Sequence, residues 1–409
     1  MDSELTIIGA GPVGSLAAYS AASNGSDVTV LDQRKRIGHP DHCAGLISKS
    51  GLALLGLNDL PKKVIQNNDI QGARFFSPSG KSFVVKRKSA QAIVVNRELF
   101  DQFLVERSEK IGVNYLKGRK VSNISFDKKR KHVNINYFEV QKKNKKEIKT
   151  HSSFVSIIAN GARSSLVEKT NCKAVPQTRY LSGYQLLVEN VSDLNVNFVE
   201  LFTSNKFAPG FFAWVIPINE TTAKVGLVSS KKLSVEKLSY FMNKFPPVKD
   251  RFTKSTPLEK YGGKVIIRGL LKKTSTDGLL ITGDAAGQTK DTTGGGVITG
   301  GLAAIIAGQV AAEAIKESKN NKQFMKTYDK QWKKALLKQF RTMALFRWLV
   351  NRLTDKALEK AFETVITNDL DQLINQKGDI DSQAEILLAL LKHPEVFKLI
   401  FRVLPNLQF

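Results

Sequence analysis

The sequence predicts an α/β protein that opens on a parallel βαβ unit, carries an inserted, mainly antiparallel β domain and closes in helices. Three observations predict it. Residues 5–32 read as strand, glycine turn, helix and strand; a later strand ends in Gly283-Asp284 ahead of the glycine triplet Gly294-Gly295-Gly296; and between them lies a block of longer alternating strands.

The opening run is apolar and β-branched at Leu5, Thr6, Ile7 and Ile8, and feeds Gly9-Ala10-Gly11-Pro12-Val13-Gly14. A small-residue helix pattern and a second strand ending on Asp32 follow, in roughly the thirty residues a βαβ unit needs. Gly9 permits the tight turn, Gly11 lets a pyrophosphate approach the backbone, and Gly14 lets helix and strand pack closely. The helix N-terminus offers free N–H groups to phosphate oxygens. Asp32 accepts from a ribose hydroxyl and would repel a 2′-phosphate, so the pattern points to NAD or the adenosine half of FAD rather than NADP. A lone G-x-G-x-x-G is weak; this one stands in the strand and helix context it requires.

At 409 residues, 42% of them hydrophobic, the chain has room for two or three domains with a large core. With 62 Lys and Arg against 37 Asp and Glu, the formal charge of +25 favours anionic partners: lipid headgroups, acidic proteins or nucleic acid. Nucleic-acid binding is not expected, because that charge comes without the aromatic or basic array of a known module. Two cysteines, Cys43 and Cys172, make no disulfide framework and suit a reducing compartment. The start Met1-Asp2-Ser3-Glu4 is acidic where a signal peptide would be basic, so a cytoplasmic protein is expected. Residues 292–312 carry no charge and are long enough to cross a bilayer, but their glycines and their place after Gly283-Asp284 favour a buried helix.

Past Asp32, residues 33–45 form a polar loop with His39, His42 and Cys43, both histidines reading as ordinary loop residues, and a helix is expected near 48–55. Residues 71–95 read as short strands around the turn Ser77-Pro78-Ser79-Gly80. A helix from Arg97 to Lys110 follows, with Leu99, Phe103 and Ile111 on or near its apolar face. Strands are expected at 113–115 and 121–126, an exposed lysine-rich hairpin over 127–150, and an apolar strand at 154–158. From Arg179 longer alternating strands run to Ser229, and after Asn320 the pattern is helical. These signals divide the chain into 1–170, the first part of the dinucleotide domain; 171–261, the antiparallel domain; 262–320, the second part of the dinucleotide domain; and 321–409, the helical tail.

The separated motifs Gly9-x-Gly11-x-x-Gly14 with Asp32, Arg97 at the head of a helix, and Gly283-Asp284 before the glycine triplet together resemble the para-hydroxybenzoate hydroxylase fold group of FAD proteins. Within it the chain is similar to the geranylgeranyl reductase family, through Ile37-Gly38-x-Pro40-x-x-Cys43-Ala44-Gly45, Phe212-x-Trp214-x-Ile216-Pro217 and Gly283-Asp284-Ala285-Ala286-Gly287. Two departures stand out. Phe212 and Ile216 replace the family's Tyr and Phe, and Ala159-Asn160-Gly161 replaces the Ala-Asp-Gly of flavin hydroxylases, which counts against hydroxylase-like handling of NADPH.

The resemblance implies a Rossmann-like FAD-binding domain, with Gly9, Gly11, Val13, Gly14, Asp32, Cys43, Ala44, Gly45, Arg97, Val121, Asp284, Gly295, Gly296 and Val297 on the cofactor. The implied reaction is saturation of isoprenoid double bonds in geranylgeranyl chains of ether phospholipid precursors. An isolated alkene is a poor hydride acceptor, so a proton donor must build positive charge on carbon, which aromatic faces stabilise. Tyr184, Phe211, Phe212 and Trp214 are the expected substrate residues, with Trp214 and Cys43 as catalytic candidates. A thiol ordinarily titrates at about 8.5 and so holds its proton at neutral pH. A rival reading is an FAD monooxygenase of an aromatic or polyprenyl compound; a reading of another class is a non-catalytic flavin- or lipid-binding protein. The chain shows no second nucleotide fingerprint, which leaves a transiently bound NAD(P)H or an acidic ferredoxin as reductant. Residues 340–350 and 384–404 mix apolar and basic side chains, a pattern suited to the surface of an anionic membrane. No metal site is expected from the Cys and His spacing.

Overall fold

The computed structural model describes the chain except residues 42, 141–146, 163, 171, 173–179, 232–233 and 404–409. His42 and Arg163 therefore lie outside the described residues. The chain forms two compact units: Met1–Asp41, Arg97–Arg179 and Ile266–Lys338 make the first, and His42–Asn96, Tyr180–Val265 and Gln339–Phe409 the second.

In chain order, β1 (Ser3–Ile8), α1 (Pro12–Ser23) and β2 (Val28–Asp32) open the first unit. The second unit then takes β3 (Leu46–Ser48), α2 (Lys49–Leu54), β4 (Ile65–Ile70), β5 (Gly72–Phe76), β6 (Ser82–Lys86) and β7 (Ala92–Val95). The first resumes with α3 (Arg97–Glu109), β8 (Asn114–Lys117), β9 (Arg119–Asp127), β10 (His132–Glu139), β11 (Lys149–Ile158) and α4 (Ser165–Glu168). To the second belong β12 (Tyr180–Glu189), β13 (Phe198–Phe202), β14 (Ala213–Pro217), β15 (Ala223–Ser229), α5 (Ser234–Lys244) and β16 (Thr256–Ile266). β17 (Ser275–Thr276), β18 (Leu279–Ile281) and α6 (Val297–Lys316) complete the dinucleotide-type unit. The helical tail is α7 (Lys322–Val350), α8 (Asp355–Thr367), α9 (Leu370–Lys377), α10 (Ala384–Lys392) and α11 (Pro394–Val403).

The first unit is built on a sheet of order β17-β18-β11-β1-β2-β8, in which β18, β11, β1, β2 and β8 are mutually parallel. Leu5, Ile7, Val30, Leu31, Ile157 and Leu280 are at most 1% exposed, as expected of parallel strands covered on both faces. α6 is the stretch that resembles a membrane span, and 67% of its apolar window is buried inside the protein. It lies against α1 through Gly308, where an added Cβ would stand 2.5 Å from the Ala17 carbonyl oxygen. The two helices meet at backbone distance because both seams are made of small residues.

Two local expectations change here. The buried face of α3 carries Phe100, Asp101, Leu104, Val105 and Ser108, while Leu99 and Phe103 are half-buried and Ile111 is 40% exposed beyond the helix end. Starting the helical count at Arg97 puts the 100/104/108 row inward, one residue out of phase with the expected one. The lysine-rich hairpin is also more than a surface ribbon. β10 pairs with both β9 and β11, and its Val133 and Ile135 are fully buried.

The second unit's sheet has the order β16-β12-β15-β14-β13-β5-β6, antiparallel through β12, β15, β14 and β13 and parallel where β13 meets β5. This corrects the boundary expected at residue 171, since residues 72–86 supply β5 and β6 to the same sheet. Pairing across more than a hundred residues leaves no local trace in sequence. Strand alternation sends Leu186, Val188, Ala213, Val215, Val225 and Leu227 to a core with Leu238, Phe241 and Phe245. On the opposite face Ile216 and Trp214 pack with Ile70, Ala92 and Val94 from the three-stranded sheet β3-β7-β4.

Candidate functional site

The glycine turn of the first unit does what its residue types require. Gly9 adopts φ +110°, and an added Cβ would lie 2.5 Å from the Ala159 carbonyl oxygen; at Gly14 it would lie 1.8 Å from the Gly9 carbonyl oxygen. Gly11 is the exception, with nothing within 4 Å of an added Cβ, so the backbone is open to a ligand there. α1 starts on Gly11 with no side-chain cap, leaving its first N–H groups available. Asp32 ends β2 beside this turn. Its Oδ2 accepts the Ala10 N–H at 2.7 Å and its Oδ1 the Arg34 N–H at 2.7 Å, which fixes the carboxylate and leaves further lone pairs for a sugar hydroxyl.

The second motif repeats the arrangement. Gly283–Ala286 is a single 3₁₀ turn after β18, and α6 again begins without a side-chain cap, at Gly296. A Cβ on Gly296 would stand 2.6 Å from Asp284 Oδ1, so the carboxylate lies directly against the glycine backbone. Asp284 keeps part of its surface accessible, yet the protein around it removes enough water to push its carboxyl above the usual range, against the pull of Arg97. Arg97 Nη2 donates to Asp101 Oδ1 at 2.9 Å, an ion pair with both side chains nearly buried. Burial raises the Asp101 carboxyl and Arg97 opposes that rise. Val13 wedges between Gly283 and Gly300, each of which would meet its methyl groups within 3.0 Å if it carried a Cβ. Gly295 and Val297 are half-buried at the same helix start, and Val121 is half-buried at the head of β9. Two uncapped helix N-termini, each with a carboxylate beside it and a bare glycine backbone, offer N–H donors to the phosphates and carboxylate acceptors to the sugar hydroxyls of a dinucleotide. The residues present fit the group.

The second unit holds the remaining candidates. Cys43 is half-buried, and its sulfur accepts the Gly45 N–H at 3.4 Å. Gly45, at φ +76°, would place a Cβ 2.3 Å from the Val95 carbonyl oxygen, and Ala44 packs in the cluster that holds Trp214. Phe211 stacks on Phe212 at 4.4 Å, and Phe212 meets Trp214 edge-on at 6.2 Å, making an aromatic row. The Arg347 guanidinium lies 4.2 Å from the Phe211 ring centre. Trp214 lies flat on β15, since a Cβ at Gly226 would stand 2.5 Å from its ring.

Tyr184 does not join this row. It packs against the core on the other face of the sheet, because Gln185 and not Tyr184 is in register with Gly226 and, through it, Trp214. The row was expected from proximity in type, and the two-residue period of a strand decides against it. His39 is a satisfied loop residue, its Nδ1 3.2 Å from Glu98 Oε2. Three buried polar residues were missed. Gln185 (4% exposed) bridges Trp214 and the Cys43 carbonyl; Lys224 (2%) donates to the Val95 carbonyl at 3.2 Å; Lys290 (7%) lies beside Gly295. Only Lys224 had a signal, a lone charge inside the apolar strand Ala223-Lys224-Val225-Gly226-Leu227. Among the described residues no group of acidic, His and Cys side chains is arranged to hold a metal.

Residues 7–39 match the NAD(P)-binding Rossmann-like domain. The chain is 32% identical over 364 residues to a digeranylgeranylglycerophospholipid reductase of Methanocaldococcus jannaschii, covering 88% of this chain and 90% of that protein. Its fold is shared with a geranylgeranyl bacteriochlorophyll reductase-like protein from Thermoplasma acidophilum, at TM-score 0.84 and 23% identity over 98% of this chain and 99% of that one. It is also shared with a triple mutant of a flavin-dependent brominase, at TM-score 0.72 and 18% identity over 99% of each chain.

Proposed function

The chain belongs to the digeranylgeranylglycerophospholipid reductase family, and from that membership we propose that it reduces the double bonds of geranylgeranyl chains on ether phospholipid precursors with a bound FAD. The observation that carries the flavin is the pair of uncapped helix N-termini with Asp32 and Asp284 at their sides. Asp32 and the Gly9–Gly14 turn hold the adenosine and pyrophosphate; Asp284, with Gly295, Gly296 and Val297, holds the ribityl and ring end. Arg97, Val121, Cys43, Ala44 and Gly45 complete the cofactor contacts.

When bound, reduced FAD would supply the hydride for one alkene carbon while the protein supplies a proton to the other, so that each reduced bond gains two hydrogens. Trp214 stabilises the positive charge that grows on carbon as the proton arrives, and Phe211 and Phe212 bury the greasy chain. Cys43 is the proposed proton donor. Ferredoxin or NAD(P)H would supply the electrons, and the basic surface favours an acidic donor. The enzyme works in the cytoplasm, in peripheral contact with the anionic inner face of the cell membrane.

A second reading, an FAD monooxygenase, has one observation in its favour: the fold is that of a halogenating flavoenzyme as well. Oxygen uptake separates them, because a reductase turns over without oxygen. The test is anaerobic reoxidation of the photoreduced protein by a geranylgeranyl ether lipid, with mass spectrometry of the product. Reoxidation with a gain of two hydrogens per double bond is expected. A flavin that stays reduced with every prenyl acceptor would leave only a flavin- or lipid-binding role.

A further inference from the structure

Among the described residues, Gln185 is a buried side chain that touches both halves of the proposed catalytic pair. It lies in β12, 4% exposed, and its Oε1 accepts the Trp214 indole N–H at 3.0 Å while its Nε2 donates to the Cys43 carbonyl at 3.4 Å. An indole nitrogen only donates and a carbonyl oxygen only accepts, so the amide has one orientation that satisfies both. The strand register makes the bridge possible: Gln185 and Trp214 each pair with Gly226, on either side of it, and the bare glycine leaves the space that the indole ring occupies. Cys43 sits in a loop, where backbone position is set by such anchors rather than by a strand ladder.

We propose that Gln185 is a positioning residue that couples the indole of Trp214 to the Cys43 loop, so that the aromatic face and the thiol keep one mutual geometry. The assignment rests on the reading of Trp214 and Cys43 as the reacting pair. Gln185 touches neither hydride nor proton. It fixes the indole that stabilises the growing charge and the loop that carries the proton donor, and a misplacement of about an ångström in such a pair costs on the order of a hundredfold in rate.

The test is a double-mutant cycle on the flavin-loaded protein in a Cys172→Ser background, which leaves Cys43 as the only thiol. Alkylation of Cys43 by iodoacetamide is the readout that packing alone would not move in this pattern. Gln185→Met keeps the volume and removes both bonds; Trp214→Phe removes the indole bond although the indole makes no bond to Cys43. Each is expected to speed alkylation about tenfold, the factor given by about 1.4 kcal/mol of lost restraint, and the two together no further than either alone. Gln185→Glu keeps an acceptor for the indole and loses the donor to Cys43, so it should speed alkylation while leaving Trp214 fluorescence unchanged. Anaerobic reoxidation by a geranylgeranyl lipid should slow at least about tenfold in Gln185→Met with flavin affinity unchanged. Unchanged alkylation in Trp214→Phe, or additive effects in the double variant, overturns the coupling. If the wild-type flavin is not reoxidised by any prenyl lipid, the functional reading fails while the alkylation cycle still decides the bridge. Should Gln185→Met fail to fold, Gln185→Glu with Trp214→Phe closes the cycle.

Discussion

The nucleotide side of the first unit and the aromatic row of the second are built from different materials. In the first, the groups proposed to face the ligand are backbone N–H donors and two carboxylates, and what the sequence must specify is the absence of side chains at Gly9, Gly11, Gly14 and Gly296. In the second, the geometry comes from side chains on alternate strand residues, so it depends on register and on which face a strand turns inward. A site made of backbone tolerates no added atoms. A site made of side chains tolerates changes on the wrong face and fails on the right one.

The largest effect should come from Gly14→Ala. Its Cβ would stand 1.8 Å from the Gly9 carbonyl oxygen, and overpacking against backbone at that distance is expected to cost about 3 kcal/mol or more. Gly11→Ala, whose Cβ meets nothing within 4 Å, should keep the melting temperature and lose FAD affinity. Thermal denaturation of the apoprotein with FAD titration checks both, and equal melting losses in the two variants would break the distinction between fold glycine and ligand glycine.

Asp284→Ala comes next, removing a charged acceptor for flavin hydroxyls worth about 1.5–3 kcal/mol, read as FAD occupancy. Full occupancy would remove Asp284 from the cofactor. Its carboxyl also carries a pH signature. Because burial raises the folded pKa above the ordinary carboxylate range, the protonated form is favoured by folding and stability is lost as pH rises through the folded value. Asp284→Asn should therefore raise the apoprotein's melting temperature at pH 7 and lose that advantage below the unfolded pKa of about 3.9.

Trp214→Ala sharpens the other side of the comparison. Loss of a desolvated cation–π contact of about 2 kcal/mol should slow flavin reoxidation by a prenyl substrate about thirtyfold while FAD affinity holds. Interactions that grow with developing charge act on the chemical step more than on binding. A wild-type rate would move the prenyl chain elsewhere. The smallest effect should be Tyr184→Phe, which keeps the ring on the core face and is expected within about 0.5 kcal/mol of wild type in stability and unchanged in reoxidation. A slowed reoxidation would place Tyr184 with the aromatic row after all.

The same contrast explains what the sequence disclosed. The βαβ unit, Asp32, Gly283-Asp284 and the buried nature of α6 were legible because their signals are local: glycines at fixed spacing, an acid at a strand end, an apolar run broken by small residues. The membership of β5 and β6 in the distant sheet was not, because the β13–β5 pairing joins residues 198–202 to 72–76. Gln185 was invisible for a related reason. A polar residue within Tyr184-Gln185-Leu186-Leu187 looks like a solvent-facing position until a second sheet is known to cover that face. Tyr184 was misplaced by the same blindness, since either phase of an alternating strand suits an aromatic residue.

The seam between α1 and α6 also fixes the timetable on which the first unit is completed. α1 leaves the ribosome almost three hundred residues before the helix whose Gly308 it accommodates, and β1 must wait for β11. At about 5–20 residues per second, the chain spends on the order of fifteen seconds or more with Ala17, Ala18 and Ala21 uncovered. When α6 emerges, a twenty-residue helix charged only at Glu313 and Lys316 faces water unless that surface is ready to receive it. Prompt docking onto α1 is therefore what takes this apolar helix out of water, and the small residues of the seam set how closely the two can meet.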